Sequence, residues 1–138
     1  MDRESCIFCR IVRKEAEASI VYEDHQVMVF MDARPVSEGH MLIIPKAHFE
    51  SVYDISEELY GYIHKTAKRI AVALRAATKA DGLSIVQQNG KAAGQEVFHL
   101  HVHLIPRYEG QKMPKFGETQ PSPREELDQI MQKIKLQL

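Results

Sequence analysis

Phe98-His99-Leu100-His101-Val102-His103-Leu104-Ile105 is a run in which imidazole and aliphatic side chains alternate strictly. Side chains along a β-strand have a period of two, so as a strand this run carries three imidazoles on one face and Leu100, Val102 and Leu104 on the other. The aliphatic face packs into a core. The other presents groups that attack phosphorus, move protons or bind metal. A lone strand histidine is ordinarily a solvated or hydrogen-bonded structural residue. Three on one face are harder to explain that way, because each brings two ring nitrogens that need partners if buried.

Residues two apart on a strand are separated by roughly 6.5–7 Å, so adjacent imidazoles can converge on one atom but the outer two cannot easily do so. Two readings follow for the row itself. His-x-His supplies two ligands to a catalytic metal, or the central His101 is a nucleophile. A neutral imidazole attacks through one nitrogen while the other donates the hydrogen bond that fixes its tautomer. The preceding loop, Asn89-Gly90-Lys91-Ala92-Ala93-Gly94-Gln95, offers what a phosphate requires: glycines that let backbone N–H groups approach an anion, and the amides of Asn89 and Gln95.

Working outward, residues 3–12 read as a short helix, residues 19–22 and 26–31 as strands about the turn Glu23-Asp24-His25, and residues 40–45 as a third strand after a breaker-rich stretch. Ile55, Leu59, Ile63, Ala67, Ile70 and Leu74 recur at helical spacing from Asp54 to about residue 79, with Asp54 and Glu57 as a capping box. His64 falls off that stripe and is expected on a solvated surface. Residues 83–88 read as a fourth strand and the histidine run as the fifth. Ser122-Pro123-Arg124-Glu125 opens a last helix whose stripe is Leu127, Ile130, Met131 and Ile134. Residues 108–121, with Lys112 and Lys115, read as a surface loop. Strands, a long helix, then strands again predict an α+β domain.

The 138 residues fit a single domain, 1–138, with 44% hydrophobic and 27% charged residues. A formal net charge of −1 gives no broad drive toward nucleic acid or an anionic membrane, which favours a small phosphorylated ligand held at a local site. The first ten residues lack the apolar run of an export signal, and no stretch approaches the roughly 20 apolar residues of a membrane span. A cytoplasmic protein is expected, in which the two cysteines stay reduced.

The histidine run resembles the His-φ-His-φ-His-φ-φ signature of the histidine triad nucleotide hydrolases and transferases. Cys6-Ile7-Phe8-Cys9, Asp32, the segment from Gly39-His40 to Ala47-His48, Asn89-Gly90, and Ala93-Gly94-Gln95 through Arg107-Tyr108 are similar to bacterial members related to the purine-nucleoside phosphoramidases. The resemblance spans about residues 5–108 and implies a five-stranded antiparallel sheet, with one long helix and a C-terminal helix, that becomes ten-stranded across a homodimer. It also implies cleavage at the α-phosphate of a purine nucleotide through a covalent nucleotidyl-histidine. His101 is then the nucleophile, flanked in the catalytic row by His99 and His103. His103 and Gln95 hold the phosphate, Asn89 makes a further phosphate-side contact, and His40 sits beside the pocket. Asp32 accepts the ribose hydroxyls, Ile7 and Phe30 wall the base, and Glu96 and Val97 complete the nucleotide-binding set.

Glu96 departs from the pattern, standing where phosphoramidase relatives carry a hydroxyl residue. It either contributes only its backbone N–H or serves as proton donor to the leaving group. Cys6 and Cys9 have the spacing of half a zinc site, with buried thiols or a redox pair as the alternatives. The resemblance completes a structural zinc site with His48 and His99. Two other functions share these residues: a nucleotide-binding regulatory protein with incidental hydrolysis, and a dinucleoside polyphosphate hydrolase.

Overall fold

The computed structural model describes residues 3–112, 114–115 and 118–138. Five strands form one antiparallel sheet in the order β1-β2-β3-β5-β4: β1 Ile20–Glu23, β2 Val27–Met31, β3 Met41–Pro45, β4 Gly82–Gln87 and β5 Val102–Arg107. Among the described residues three α-helices accompany it, α1 Ile7–Val12, α2 Glu57–Thr78 and α3 Arg124–Lys135, with one 3-10 turn at Lys91–Ala93. The α+β architecture with one long helix and a C-terminal helix is as the sequence predicts.

Both faces of the central strands are buried, and their alternation sorts the side chains into two cores. Val27, Val29, Met31, Met41, Ile43, Val102 and Leu104 pack against the apolar stripes of α2 and α3. Met28, Phe30, Leu42 and Ile44 face the other way and are covered by Cys6, Phe8, Cys9 and Ile11 from the α1 segment. Ladder partners on this second face run in one row across the sheet: Ile20, Phe30, Leu42, His103 and Val86. Neighbouring strands are about 4.8 Å apart, so this row fixes how far each side chain stands from the histidines.

The histidine strand starts later than the alternation suggests. Leu100 N–H donates at 2.7 Å to the carbonyl of Phe49, outside the sheet, and the ladder begins at Val102. The face assignment survives, because Leu100, Val102 and Leu104 all enter the α2 core. Helix α1 is shorter than residues 3–12, with Cys6 Sγ accepting the Cys9 N–H at its N-cap. Helix α2 is capped by Ser56 rather than Asp54, whose carboxylate instead accepts the N–H groups of Glu50 and Ser51. Helix α3 starts after Pro123, while Ser122 N–H donates to the Ala33 carbonyl and so ties this segment to the end of β2. The loop expected over 108–121 has no helix or strand among its described residues; positions 113, 116 and 117 lie outside them.

One glycine positions the site. Gly39 has φ +95°, and a Cβ there would lie 3.0–3.2 Å from Thr78, Leu74 and Pro106 side-chain atoms. Only glycine gives both the conformation and the clearance. The next residue, His40, is thereby set against β5 at the base of the second face. No helix among the described residues is long and apolar enough to cross a membrane.

Candidate active site and metal centre

A cavity of about 470 Å³ opens on the second face of the sheet. Its floor is Phe30 and Leu42, Phe8 and Ile11 close one wall, and His101 and His103 stand at the β5 side. Phe8 meets both Phe30 and His101 edge-on, with ring centroids 5.5 and 5.1 Å apart. Beyond the floor, toward β1, are Glu17, Ala18, Thr119 and Arg124. Toward β4 are Gln88, Gly94, Glu96 and Val97.

Hydrogen bonds to obligate donors and acceptors decide which nitrogen of each imidazole carries its proton. His101 Nδ1 lies 2.8 Å from the His99 carbonyl oxygen. A carbonyl only accepts, so Nδ1 bears the hydrogen. Burial pushes the His101 pKa down, so the ring is neutral and its Nε2 keeps a lone pair.

His103 carries the opposite tautomer. Val36 N–H donates at 2.9 Å to Nδ1 of His40, so the His40 hydrogen must be on Nε2. That nitrogen lies 2.9 Å from Nδ1 of His103, which accepts, leaving the His103 hydrogen on Nε2. Burial is the main cause that lowers both rings to a pKa of about 3, and for His40 the Arg107 guanidinium adds to it. The site thus sets an acceptor imidazole, His101, beside a donor imidazole, His103, with ring centroids 4.9 Å apart.

Asp32 follows β2 at the cavity edge. Its Oδ1 accepts the Arg34 N–H at 2.8 Å, a local turn, while Oδ2 lies 3.4 Å from His40 Nε2. Burial lifts its carboxyl to a pKa of about 6, against the opposing pull of the Arg34 hydrogen bond. The donor atoms of Asp32, His40 and His103 lie within 4.8 Å of one another. The Val36 N–H keeps a proton on His40 Nε2, however, and a protonated nitrogen cannot bind a cation. This cluster is a hydrogen-bonded relay rather than a metal site.

The other cluster suits a metal. Sγ of Cys6, Sγ of Cys9, and ring nitrogens of His48 and His99 also lie within 4.8 Å of one another. His99 Nε2 donates to the Pro45 carbonyl at 2.8 Å, which leaves a lone pair on Nδ1, 3.5 Å from each sulfur. His48 Nδ1 is 3.2 Å from Cys9 Sγ, and His48 Nε2 is buried with no hydrogen-bond partner among the described residues. Burial and the adjacent Cys6 thiol push the Cys9 thiol up from its ordinary value. Two sulfurs and two neutral imidazoles are a donor set that fits zinc. His99 therefore turns its lone pair to the thiols and does not line the cavity, so the three imidazoles do not converge on one ion.

Ile7, Phe30, Asp32, Glu96, Val97, His101 and His103 all line the cavity, and His40 lies directly behind His103. Asn89 and Gln95 do not line it. Asn89 Oδ1 accepts from Val52 N–H and Gln87 Nε2. Gln95 Oε1 accepts from Gly90 N–H, and its Nε2 donates to the carbonyls of Glu50 and Val97. Both amides brace the loop. The amide this segment puts in the cavity is Gln88, packed so closely on Gly94 that a Cβ there would lie 2.8 Å from Gln88 Nε2. Phe8, Gln88, Arg34 and Arg124 are cavity residues that sequence reasoning missed.

The HIT domain matches residues 13–110. An uncharacterized HIT-like protein of Methanocaldococcus jannaschii is 42% identical over 132 residues, covering 94% of this chain and 98% of the relative. Among solved structures, a Hit-like protein of Bartonella henselae involved in cell-cycle regulation superposes with a TM-score of 0.92 at 36% identity, over 100% of this chain and 98% of that one. A Zn-bound histidine triad family protein of Mycobacterium smegmatis superposes with a TM-score of 0.87 at 35% identity, over 99% and 94% of the two chains. A fold, a histidine row and a cavity of this kind define the nucleotide-handling hydrolases and transferases of the histidine triad class. The chain belongs to the HIT family.

The buried neutral imidazoles make the fold acid-sensitive. His40 and His103, at about 3 in the folded protein against about 6.5 unfolded, contribute stability that is present above pH 6.5 and is lost as pH falls toward 3. Asp32, raised to about 6, opposes this between pH 6 and 4, where protonation favours the fold. Urea midpoints should stay level above pH 6.5 and fall below it, and His40→Gln should flatten that fall. An unchanged acid limb in the variant would contradict the assignment.

Proposed function

We propose that the protein cleaves purine nucleoside phosphoramidates or related nucleotides and dinucleotides at the α-phosphate, through a nucleotidyl intermediate on His101. The observation that carries this reading is the pair of opposite tautomers. His101 Nε2 has the lone pair a nucleophile needs, and its Nδ1–H to the His99 carbonyl steadies the positive charge the ring gains as it attacks. His103 Nε2–H donates to a non-bridging phosphoryl oxygen. The bond between phosphorus and the leaving group breaks with its electron pair on the leaving atom, which takes a proton from solvent. Water then attacks phosphorus and gives up a proton to solvent, and the P–N bond breaks with its electron pair returned to His101 Nε2, releasing the nucleoside monophosphate.

The other contacts follow from the cavity. The Asp32 carboxylate, whose oxygens each keep further acceptor capacity, accepts ribose hydroxyls. Phe8, Phe30 and Ile7 offer the flat, apolar surface that a purine stacks on. His40 is a positioning residue that acts through His103. Asn89 and Gln95 serve the phosphate by shaping the loop whose glycines bring backbone N–H groups close to it, and Gln88 supplies the side-chain amide. We read residues 1–138 as one cytoplasmic domain. Its partner is a second copy of itself, joined at the outermost strand, β4, where Leu83 and Ile85 are exposed on an unpaired edge. Pairing of two such edges gives a ten-stranded sheet.

Cys6, Cys9, His48 and His99 would hold a structural zinc ion. When bound, zinc favours the thiolates and closes its coordination with protein donors, leaving substrate chemistry to the imidazoles. Through these residues the α1 segment, which carries Ile7 and Phe8, is fastened to the residue whose carbonyl orients His101. His99 acts on catalysis by that route.

His101→Ala should reduce kcat on an adenosine or guanosine phosphoramidate by at least about 10³-fold while nucleoside monophosphate binding, followed by calorimetry, persists. Rapid quench of the wild type should trap an acid-labile, base-stable nucleotidyl adduct. Full turnover without such an adduct would contradict the covalent route. Elemental analysis should find zinc in stoichiometric amount, lost in Cys9→Ser with a lower Tm. Protein free of zinc and equally stable would remove the metal assignment.

A further inference from the structure

The acidic side chain at the β4 end of the cavity has a consequence for which substrates the site accepts. Sheet order gives the cavity a direction. Asp32 follows β2, the reacting imidazoles belong to the β5 segment two strands further on, and Gln88 follows β4, one strand beyond them. A nucleotide with its ribose at Asp32 and its α-phosphate at His101 therefore sends its leaving group toward Gln88, Gly94, Glu96 and Val97. Among the described residues that line the cavity at that end, Glu96 carries the only formal charge. The cationic side chains that line the cavity, Arg34 and Arg124, stand on the Asp32 and β1 side. Arg124 is moreover occupied, donating to Ser19 Oγ at 2.8 Å and lying 3.6 Å from Glu17.

We propose that Glu96 is a charge filter on the leaving group, selecting substrates whose departing amine carries a further positive charge and disfavouring anionic leaving groups such as carboxylates and polyphosphates. This rests on the α-phosphate reading above and narrows it to cationic phosphoramidates. Glu96 is solvent-exposed, so the field it exerts is that of a partly screened surface charge. At about 7 Å and an effective dielectric of about 50, one carboxylate changes the preference for a unit charge by about fivefold. Between a cationic and an anionic leaving group of equal size the ratio is then about 25-fold.

The experiment uses three phosphoramidates of one purine nucleoside made from propylamine, 1,3-diaminopropane and β-alanine, whose groups beyond the P–N bond are neutral, cationic and anionic at pH 7. In the wild type at low salt, kcat/KM should fall in the order cationic, neutral, anionic, and the span should shrink at high salt. Glu96→Gln should reduce the cationic-to-anionic ratio to within about threefold of unity. Glu96→Asp should keep most of it, and Glu17→Gln, which removes a carboxylate from the opposite end, should leave the ratio in place. Because each ratio is internal to one protein, a general loss of activity in a variant does not obscure it. A wild-type ratio near unity, or one that Glu96→Gln leaves unaltered, overturns the filter. If the wild type turns over none of the three, the catalytic reading falls, and the same ratios measured as dissociation constants by calorimetry decide the filter on their own.

Discussion

The hydrogen bond from His101 Nδ1 to the His99 carbonyl is the constraint on which the proposed chemistry of this molecule depends. It joins two residues of one short segment, and it exists because that segment leaves the sheet just before β5. Leu100 turns its N–H to Phe49 rather than to a neighbouring strand. The His99 carbonyl is therefore available to the next imidazole along. Had the ladder run through residues 99–101, that oxygen could have been committed to a strand partner.

From there the site divides its histidines by what each ring's second nitrogen meets. Pro45 takes the proton of His99 and turns its lone pair to the two thiols. Val36 fixes His40, which fixes His103. All four rings are buried, and burial holds each one in its neutral form. A row of chemically identical side chains thus acquires different roles, an arrangement that backbone carbonyls and one backbone N–H impose. The Cys6, Cys9, His48 and His99 cluster and the His101–His103 pair meet at two ends of the same short run. A change at Cys6 or Cys9 should accordingly be felt at His101 through the His99 backbone.

Much of this was legible in the chain. Alternation over residues 98–105 assigned both faces correctly, because the side-chain period of extended backbone does not depend on whether a ladder is formed. The long helix and the last helix followed from their stripes, with caps displaced where a nearer hydroxyl or a proline competed, as Ser56 did with Asp54. What sequence could not separate was Gln88 from Asn89: adjacent amides of the same chemistry, of which one lines the cavity and the other braces Val52 and Gln87. The relay through His40 depends on Val36 and Gly39, whose importance lies in backbone placement and leaves no side-chain signature. Arg124 enters the cavity only because α3 folds back on β1, a long-range contact with no local signal.

The tautomers are open to direct measurement. In protein labelled with nitrogen-15 in its histidines, long-range proton–nitrogen correlation spectra at pH 7 distinguish protonated from bare ring nitrogens at each position. His101 should show a protonated Nδ1 and a bare Nε2, and His103 the reverse. A proton found on His101 Nε2, or the same tautomer at both residues, would contradict the division of donor and nucleophile on which the catalytic account stands.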